Sequence, residues 1–295
     1  MNIRMLGFAV AAVLATSAAG AEQTLNRGAA LAADGEVEVV NVAGSVSVTG
    51  WDRNEVELVA VLEGDKDVLE FSGDARRVVV KLRGPSSSKG PKAATFTLRV
   101  PRTALLDLQT VSADVVVAEA SGRQRIETVS GDVQTRVFDR DVHVSSVSGE
   151  VKLSTQGGKA PSIVSTVSGN VWLDGLVGSV DVQSVSGDMR LSLGTVTRAR
   201  FKTVSGDVLV GLTLAPDGQG DAATVSGDTQ FRLKPPVNAQ FDLESFSGSL
   251  KACFGPEPSR RSEHGPGTEL HFKHGTGSAR IEVGTLSGDV SICDK

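Results

Sequence analysis

Thr110-Val111-Ser112-Ala113-Asp114-Val115 and Thr128-Val129-Ser130-Gly131-Asp132-Val133 are two statements of one phrase, which the chain restates seven more times. Aligned on the central serine, the copies stand at Ser112, Ser130, Ser148, Ser168, Ser186, Ser205, Ser226, Ser247 and Ser287, in steps of 18, 18, 20, 18, 19, 21, 21 and 40 residues. Periods of this size are the signature of stacked repeats. After the serine comes glycine (Gly131, Gly149, Gly169, Gly187, Gly206, Gly227, Gly248, Gly288), with Ala113 the exception. Then comes an acidic or amide residue (Asp114, Asp132, Glu150, Asn170, Asp188, Asp207, Asp228, Asp289), with Ser249 the exception.

The third and fifth residues after each serine are apolar in nearly every copy, from Val115/Val117 and Val151/Leu153 to Val290/Ile292. That is the two-residue period of a strand with one buried face. The fourth residue before the serine is apolar too, from Leu108 and Ile126 to Val283, which gives a second strand per repeat. Glycine tolerates positive φ and a short Asp or Asn bonds local backbone, so Ser-Gly-Asp reads as the turn between them. The expected fold is therefore an all-β parallel β-solenoid of ~19-residue coils, about 4.8 Å apart, with like side chains in columns. Two residues before the serine every copy has Thr or Ser, and one residue before it every copy has Val, Phe or Leu. Strict alternation cannot bury both columns, so a corner and a short third side are expected there.

Met1 to Ala21 reads as a secretory signal peptide: Arg4 supplies the charge, Met5 to Ala15 the apolar stretch, and Ala19-Gly20-Ala21 before Glu22 the cleavage site. No later apolar run is long enough to span a bilayer, so the expected location is the periplasm or the exterior. Removing Arg4 leaves 30 − 1 = 29 basic residues against 35 acidic ones. With no Lys/Arg stripe, this argues against nucleic acid as partner. Residues 22–101 hold several alternating stretches and read as an N-terminal β-rich cap ahead of coils over 102–295. Within them Asn41-Val42-Ala43-Gly44-Ser45-Val46 looks like a degenerate copy of the phrase. Pro85 to Pro91 has the composition of a loop.

The last step is double. Either one coil has lost its phrase or one coil carries an insertion; the breaker-rich Gly255 to Gly267 favours a single coil with a projecting loop, near 255–273. Cys253 and Cys293 each lie six residues after their serine. In adjacent coils their Cα atoms would be about 5 Å apart, inside disulfide range, and an oxidising compartment favours the bond over two free thiols.

The acidic column could suggest calcium. It lacks the nonapeptide of calcium-binding β-rolls, so hydrated turn residues are the preferred reading and no cofactor is expected. His264, His271 and His274, with Glu263 and Glu269, match no zinc spacing. Asp139, Asp141 and His143 offer the best acid–base set, yet no neighbouring coil completes it for polysaccharide cleavage. With no Tyr and only Trp51 and Trp172, an aromatic platform for sugars is weakly supported.

Val46 to Leu58, with its Gly50-Trp51-Asp52-Arg53 turn, then Val100-Pro101 and the serial Thr-Val-Ser-Gly-Asp-Val phrases resemble the bacterial putative-adhesin family, domain of unknown function 4097. The resemblance implies an exported or envelope-associated β-solenoid with an adhesive or scaffolding role, and it carries over no catalytic residue, ligand or cofactor. The reading at this stage is a non-enzymatic interaction module of the bacterial envelope with an unidentified protein or glycan partner. A β-helix enzyme acting on envelope polysaccharide and an accessory to envelope-stress signalling are the alternatives.

Overall fold

The computed structural model describes residues 22–294 apart from 65, 85–91, 156 and 263–265. The expected signal peptide with Ala19 and Ala21, the loop at 85–91, and Glu263 and His264 lie outside these residues. Glu22 is exposed and precedes the first strand, Gln23–Ala30. Among the described residues the chain is all β and has no helix; its 23 strands join in one hydrogen-bonded sheet.

Residues after each serine pair in parallel with their counterparts one copy on, in the series Val133, Val151, Val171, Met189, Val208, Thr229. Residues before the serine do the same in the series Ile126, Val144, Val164, Val182, Phe201, Ala222. Letters that align in the sequence are thus lateral neighbours in space. Two columns of parallel strands enclose a core in which Leu108, Ile126, Val144 and Val164 stack from one side and Val115, Val133, Val151 and Val171 from the other, all of them buried.

The chain bends within the phrase, at Val129-Ser130, Val147 to Gly149 and Val167-Ser168, where a corner is expected. Alternation breaks there, with two outward residues in succession: the Thr/Ser column is buried, at 3–8% exposure, while the apolar column beside it, at 43–53%, and the serine after that face outward. At several coils the buried hydroxyl bonds at the turn, although those of Ser184, Thr224 and Thr285 have no partner among the described residues. Thr128 Oγ1 accepts the Gly131 N–H at 3.1 Å and Thr166 Oγ1 the Gly169 N–H at 3.0 Å, while Thr110 Oγ1 and Thr203 Oγ1 donate to the carbonyls of Ala113 and Ser205. A buried turn amide left unpaired costs about 1–3 kcal/mol, comparable with burying a valine, so at Thr128 and Thr166 the hydroxyl takes the inside position.

Both ends of the stack depart from chain order. Glu36–Trp51 pairs in parallel with Leu105–Ala118, Gly44 beside Ala113, so the degenerate phrase is stacked in register. On its other side it pairs in parallel with Arg77–Arg83 and Ala94–Pro101. The later Arg77–Arg83 and Ala94–Pro101 therefore lie farther from the coils than the earlier Glu36–Trp51. At the opposite end Ala279–Ser287 lies between the 219–226 part of Val208–Ser226 and Ala239–Ser247. Val290–Cys293 likewise lies between Thr229–Leu233 and Leu250–Ala252. The spatial order of serines is 226, 287, 247.

The insertion after Cys253 does not simply project, as expected for 255–273. Its second half, Thr268–His274, pairs antiparallel with Ala239–Ser247 along the outer edge, and Ser259–Arg260 pairs with it in turn. Leu270 is buried and Phe272 packs on the core, so the alternation of Glu269-Leu270-His271-Phe272 is that of an edge strand. At the other end Glu55–Leu62 pairs antiparallel with Ala94–Pro101, Gln23–Ala30 with Glu55–Leu62, and Val68–Gly73 with Arg77–Arg83.

Candidate functional site

Three letters of the phrase hold the coils together. Ser130, Ser148 and Ser168 donate their hydroxyls to the carbonyls of Val111, Val129 and Val147 in the preceding coil. Glycine is required by close approach: a Cβ on Gly206, at φ 127°, would fall 2.4 Å from the Gly187 carbonyl oxygen. The acidic column accepts backbone amides. Asp114 Oδ1 takes the Asp132 N–H at 2.9 Å, Asp132 that of Glu150 at 2.8 Å, Asp188 that of Asp207 at 3.2 Å, and Asp207 that of Asp228 at 2.9 Å. Asp228 then takes the Asp289 N–H and Asp289 that of Ser249, following spatial rather than sequence order. That last bond holds the Asp289 carboxyl below the usual carboxylate range. Asn170 fills the same place with its amide oxygen, accepting the Asp188 N–H at 2.9 Å. Ser249 needs no acceptor because its coil is outermost. These contacts replace the reading of the column as merely hydrated. Among the described residues no group of three or more His, Cys, Asp or Glu is placed to hold a metal ion.

The residues weighed for acid–base chemistry are engaged elsewhere: Asp141 lies 3.6 Å from Arg123, and His143 Nε2 lies 3.1 Å from Ser145 Oγ. His271 on the outer strand lies 2.8 Å from Asp242, which also meets Arg280 at 2.8 Å; Glu269 is 3.8 Å from His271. The Asp242 hydrogen bond raises the His271 pKa. His274 packs on Phe254, whose ring meets Phe241 and Phe272. Cys253 and Cys293 form a disulfide with Cα atoms 5.0 Å apart, joining the outermost coil to the one slotted beneath it.

A groove of about 800 Å³ lies along the outward side of the second strand column. Lys152, Trp172, Arg190 and Leu209 are successive lateral neighbours on its wall. Ser154, Ser192 and Gly211 line it with small side chains, and Arg232 and Lys234 close its far end. Trp172 is 38% exposed, with the Arg190 guanidinium 4.8 Å from its ring centre. Lys152 lies 3.0 Å from Glu150, Arg190 lies 3.6 Å from Asp188, and Lys234 Nζ reaches the Leu193 carbonyl at 3.5 Å. The lining holds Lys152, Arg190, Arg232 and Lys234 with the carboxylates of Asp174 and Asp294, and the flanking Glu150 and Asp188 pair with two of these cations. The sequence reading passed over this site by weighing Trp172 by aromatic count. Its signal is positional: Lys152, Trp172, Arg190 and Leu209 each stand four residues after a phrase serine.

Parallel coils knit by a recurring turn, with a groove lined by cations and an indole on one face, define a repeat-built all-β protein whose phrase is scaffold. The chain belongs to the Toastrack DUF4097 family, whose profile matches residues 45–293. No curated protein matches it. Similar solved structures include a putative lipid binding protein from Parabacteroides distasonis, 13% identical over 91% of this chain and 96% of that one, with a TM-score of 0.47. A putative adhesin from Bacteroides fragilis is 10% identical over 94% and 99%, with a TM-score of 0.45. Another from Parabacteroides merdae is 11% identical over 92% and 96%, with a TM-score of 0.40. Likenesses at this level carry no functional weight.

Proposed function

We propose that the protein is an exported, non-enzymatic β-solenoid acting as an interaction module of the bacterial envelope, and that its groove binds an extended acidic glycan. The groove's cations and exposed Trp172 on a net acidic chain are the observation that carries this reading. An indole offers a flat apolar face and guanidinium groups pair with carboxylates in plane, which suits a polymer of uronic acids. Spread over seven coils, from Gln134 to Asp294, the groove is about 29 Å long, enough for an oligomer rather than a single sugar. Export is supported by the Met1 to Ala21 pattern and by the Cys253–Cys293 bond, which suits an oxidising compartment. The antiparallel strands at both ends serve as caps on otherwise open sheet edges.

Calorimetric titration of residues 22–295 with a uronic-acid oligomer tests this. Binding that weakens with salt, drops about tenfold or more in W172A and in K152Q/R190Q, and returns the oligomer intact by mass spectrometry is the expected result. No binding, or binding indifferent to Trp172, would overturn the glycan assignment; a shortened oligomer would instead make the protein a polysaccharide-cleaving enzyme.

A further inference from the structure

One letter of the phrase has no task in the fold. Thr, Ser, Gly and Asp each make a contact that joins the turn or the coils, but Val111, Val129, Val147, Val167, Val185, Val204, Val225, Leu286 and Phe246 point into solvent. In spatial order they form a continuous apolar ridge of nine rungs, about 38 Å long at strand spacing. Isolated exposed valines are ordinary, whereas a contiguous apolar strip rimmed by polar groups marks a contact surface. On one side, past the serines, runs the carboxylate ladder Asp114, Asp132, Glu150, Asp188, Asp207, Asp228 and Asp289. All but Glu150 accept a backbone amide through Oδ1, and the Oδ2 of Asp188 also lies 3.6 Å from Arg190. On the other side a shallow groove of about 460 Å³ separates Val185, Val204 and Val225 from Gln183, Lys202 and Ala223.

We propose that this edge docks a basic amphipathic segment of a partner protein, its apolar side chains on the ridge and its Lys or Arg residues on the carboxylates of the ladder. Charge selects this occupant. Two copies of the chain laid ridge to ridge would bring two carboxylate ladders to one seam, and an anionic membrane would meet the same repulsion. A cationic strand or helix with one apolar face satisfies both columns at once.

The probe is a short acetylated peptide alternating Lys and Val, with a Glu/Val peptide as control, titrated against residues 22–295 by fluorescence anisotropy. Val→Thr keeps β-branching and changes no charge, so V167T/V185T/V204T/V225T tests the ridge. Asn170 shows that an amide oxygen fills the ladder's structural place, so D207N/D228N removes charge and keeps the acceptors. The Lys/Val peptide is expected to bind and the Glu/Val peptide not. Affinity should fall about tenfold or more in the Val→Thr variant, and fall with a flatter salt dependence in the Asp→Asn variant. D34N/D217N and W172A, altered elsewhere on the surface, should leave it unchanged, with every variant keeping the parent melting temperature. The proposal is overturned if the Lys/Val peptide does not bind, if binding ignores the Val→Thr changes, or if D34N/D217N weakens it as much as the ladder variant. It is equally overturned if sedimentation shows a dimer that Val→Thr dissociates, or if anionic vesicles bind in a Val-dependent way.

Discussion

Replacing Asp207 separates what the acidic column does from what its charge suggests. Its Oδ1 accepts the Asp228 N–H at 2.9 Å, and its own N–H goes to Asp188 at 3.2 Å. Only the first bond depends on the side chain. A hydrogen bond to a charged group contributes about 1.5–3 kcal/mol when sheltered, and exposure of this turn lowers that to about 1 kcal/mol. D207A is therefore expected to destabilise by about 1 kcal/mol, roughly a fivefold change in the unfolding constant. D207N keeps an acceptor in place, as Asn170 does, and should cost no more than about 0.3 kcal/mol. Urea denaturation gives the global value, provided the slope is unchanged. Amide exchange at Asp228 gives the local one: protection lost in D207A and retained in D207N. If Asn loses as much as Ala, or the Asp228 amide exchanges equally in both, the column acts through charge or hydration and the account of the ladder is wrong.

Thr229 occupies a position held by Val208 and Val290 in the flanking coils, and its buried Oγ1 has no hydrogen-bond partner among the described residues; T229V should stabilise by about 1 kcal/mol, read as a higher urea midpoint. Reduction, or C253S/C293S, removes a cross-link spanning 40 residues and should cost up to about 4 kcal/mol on the chain-entropy model, with amide protection falling first over 250–252 and 290–293. His271 has a raised pKa because Asp242 favours its charged form. Its contribution to holding the outer strand is therefore complete below its unfolded value of about 6.5 and fades as pH rises through the raised folded value. The half-exposed ring limits the effect to a few tenths of a kcal/mol, seen as faster intrinsic-rate-corrected exchange over 268–274 at about pH 8 than at about pH 6, and absent in H271Q.

Stacking was legible in the sequence because parallel register turns equal spacing into contact. Cys253 and Cys293 share a phase and meet; Gly44 shares one with Ala113 and lies beside it. The inside–outside choice at Thr128-Val129 was not legible from hydropathy, since the deciding quantity is the turn amide at Gly131, which only the backbone path puts next to the threonine. The groove escaped for a related reason: Lys152, Trp172 and Arg190 look unremarkable one coil at a time and become a site only as a column. Coil order at the ends was beyond local reading, because Ala279–Ser287 carries the same alternation whether it lies outside Ala239–Ser247 or beneath it.

That inserted position constrains how the molecule is made. Synthesis delivers 239–252 before 279–293, yet the earlier stretch belongs outside the later one. The earlier arrival either waits undocked or settles prematurely on Thr229–Leu233 and must be lifted off. Closure is accordingly the final event of biogenesis, and a nascent protein stalled short of residue 279 presents a raw β edge to proteases and chaperones.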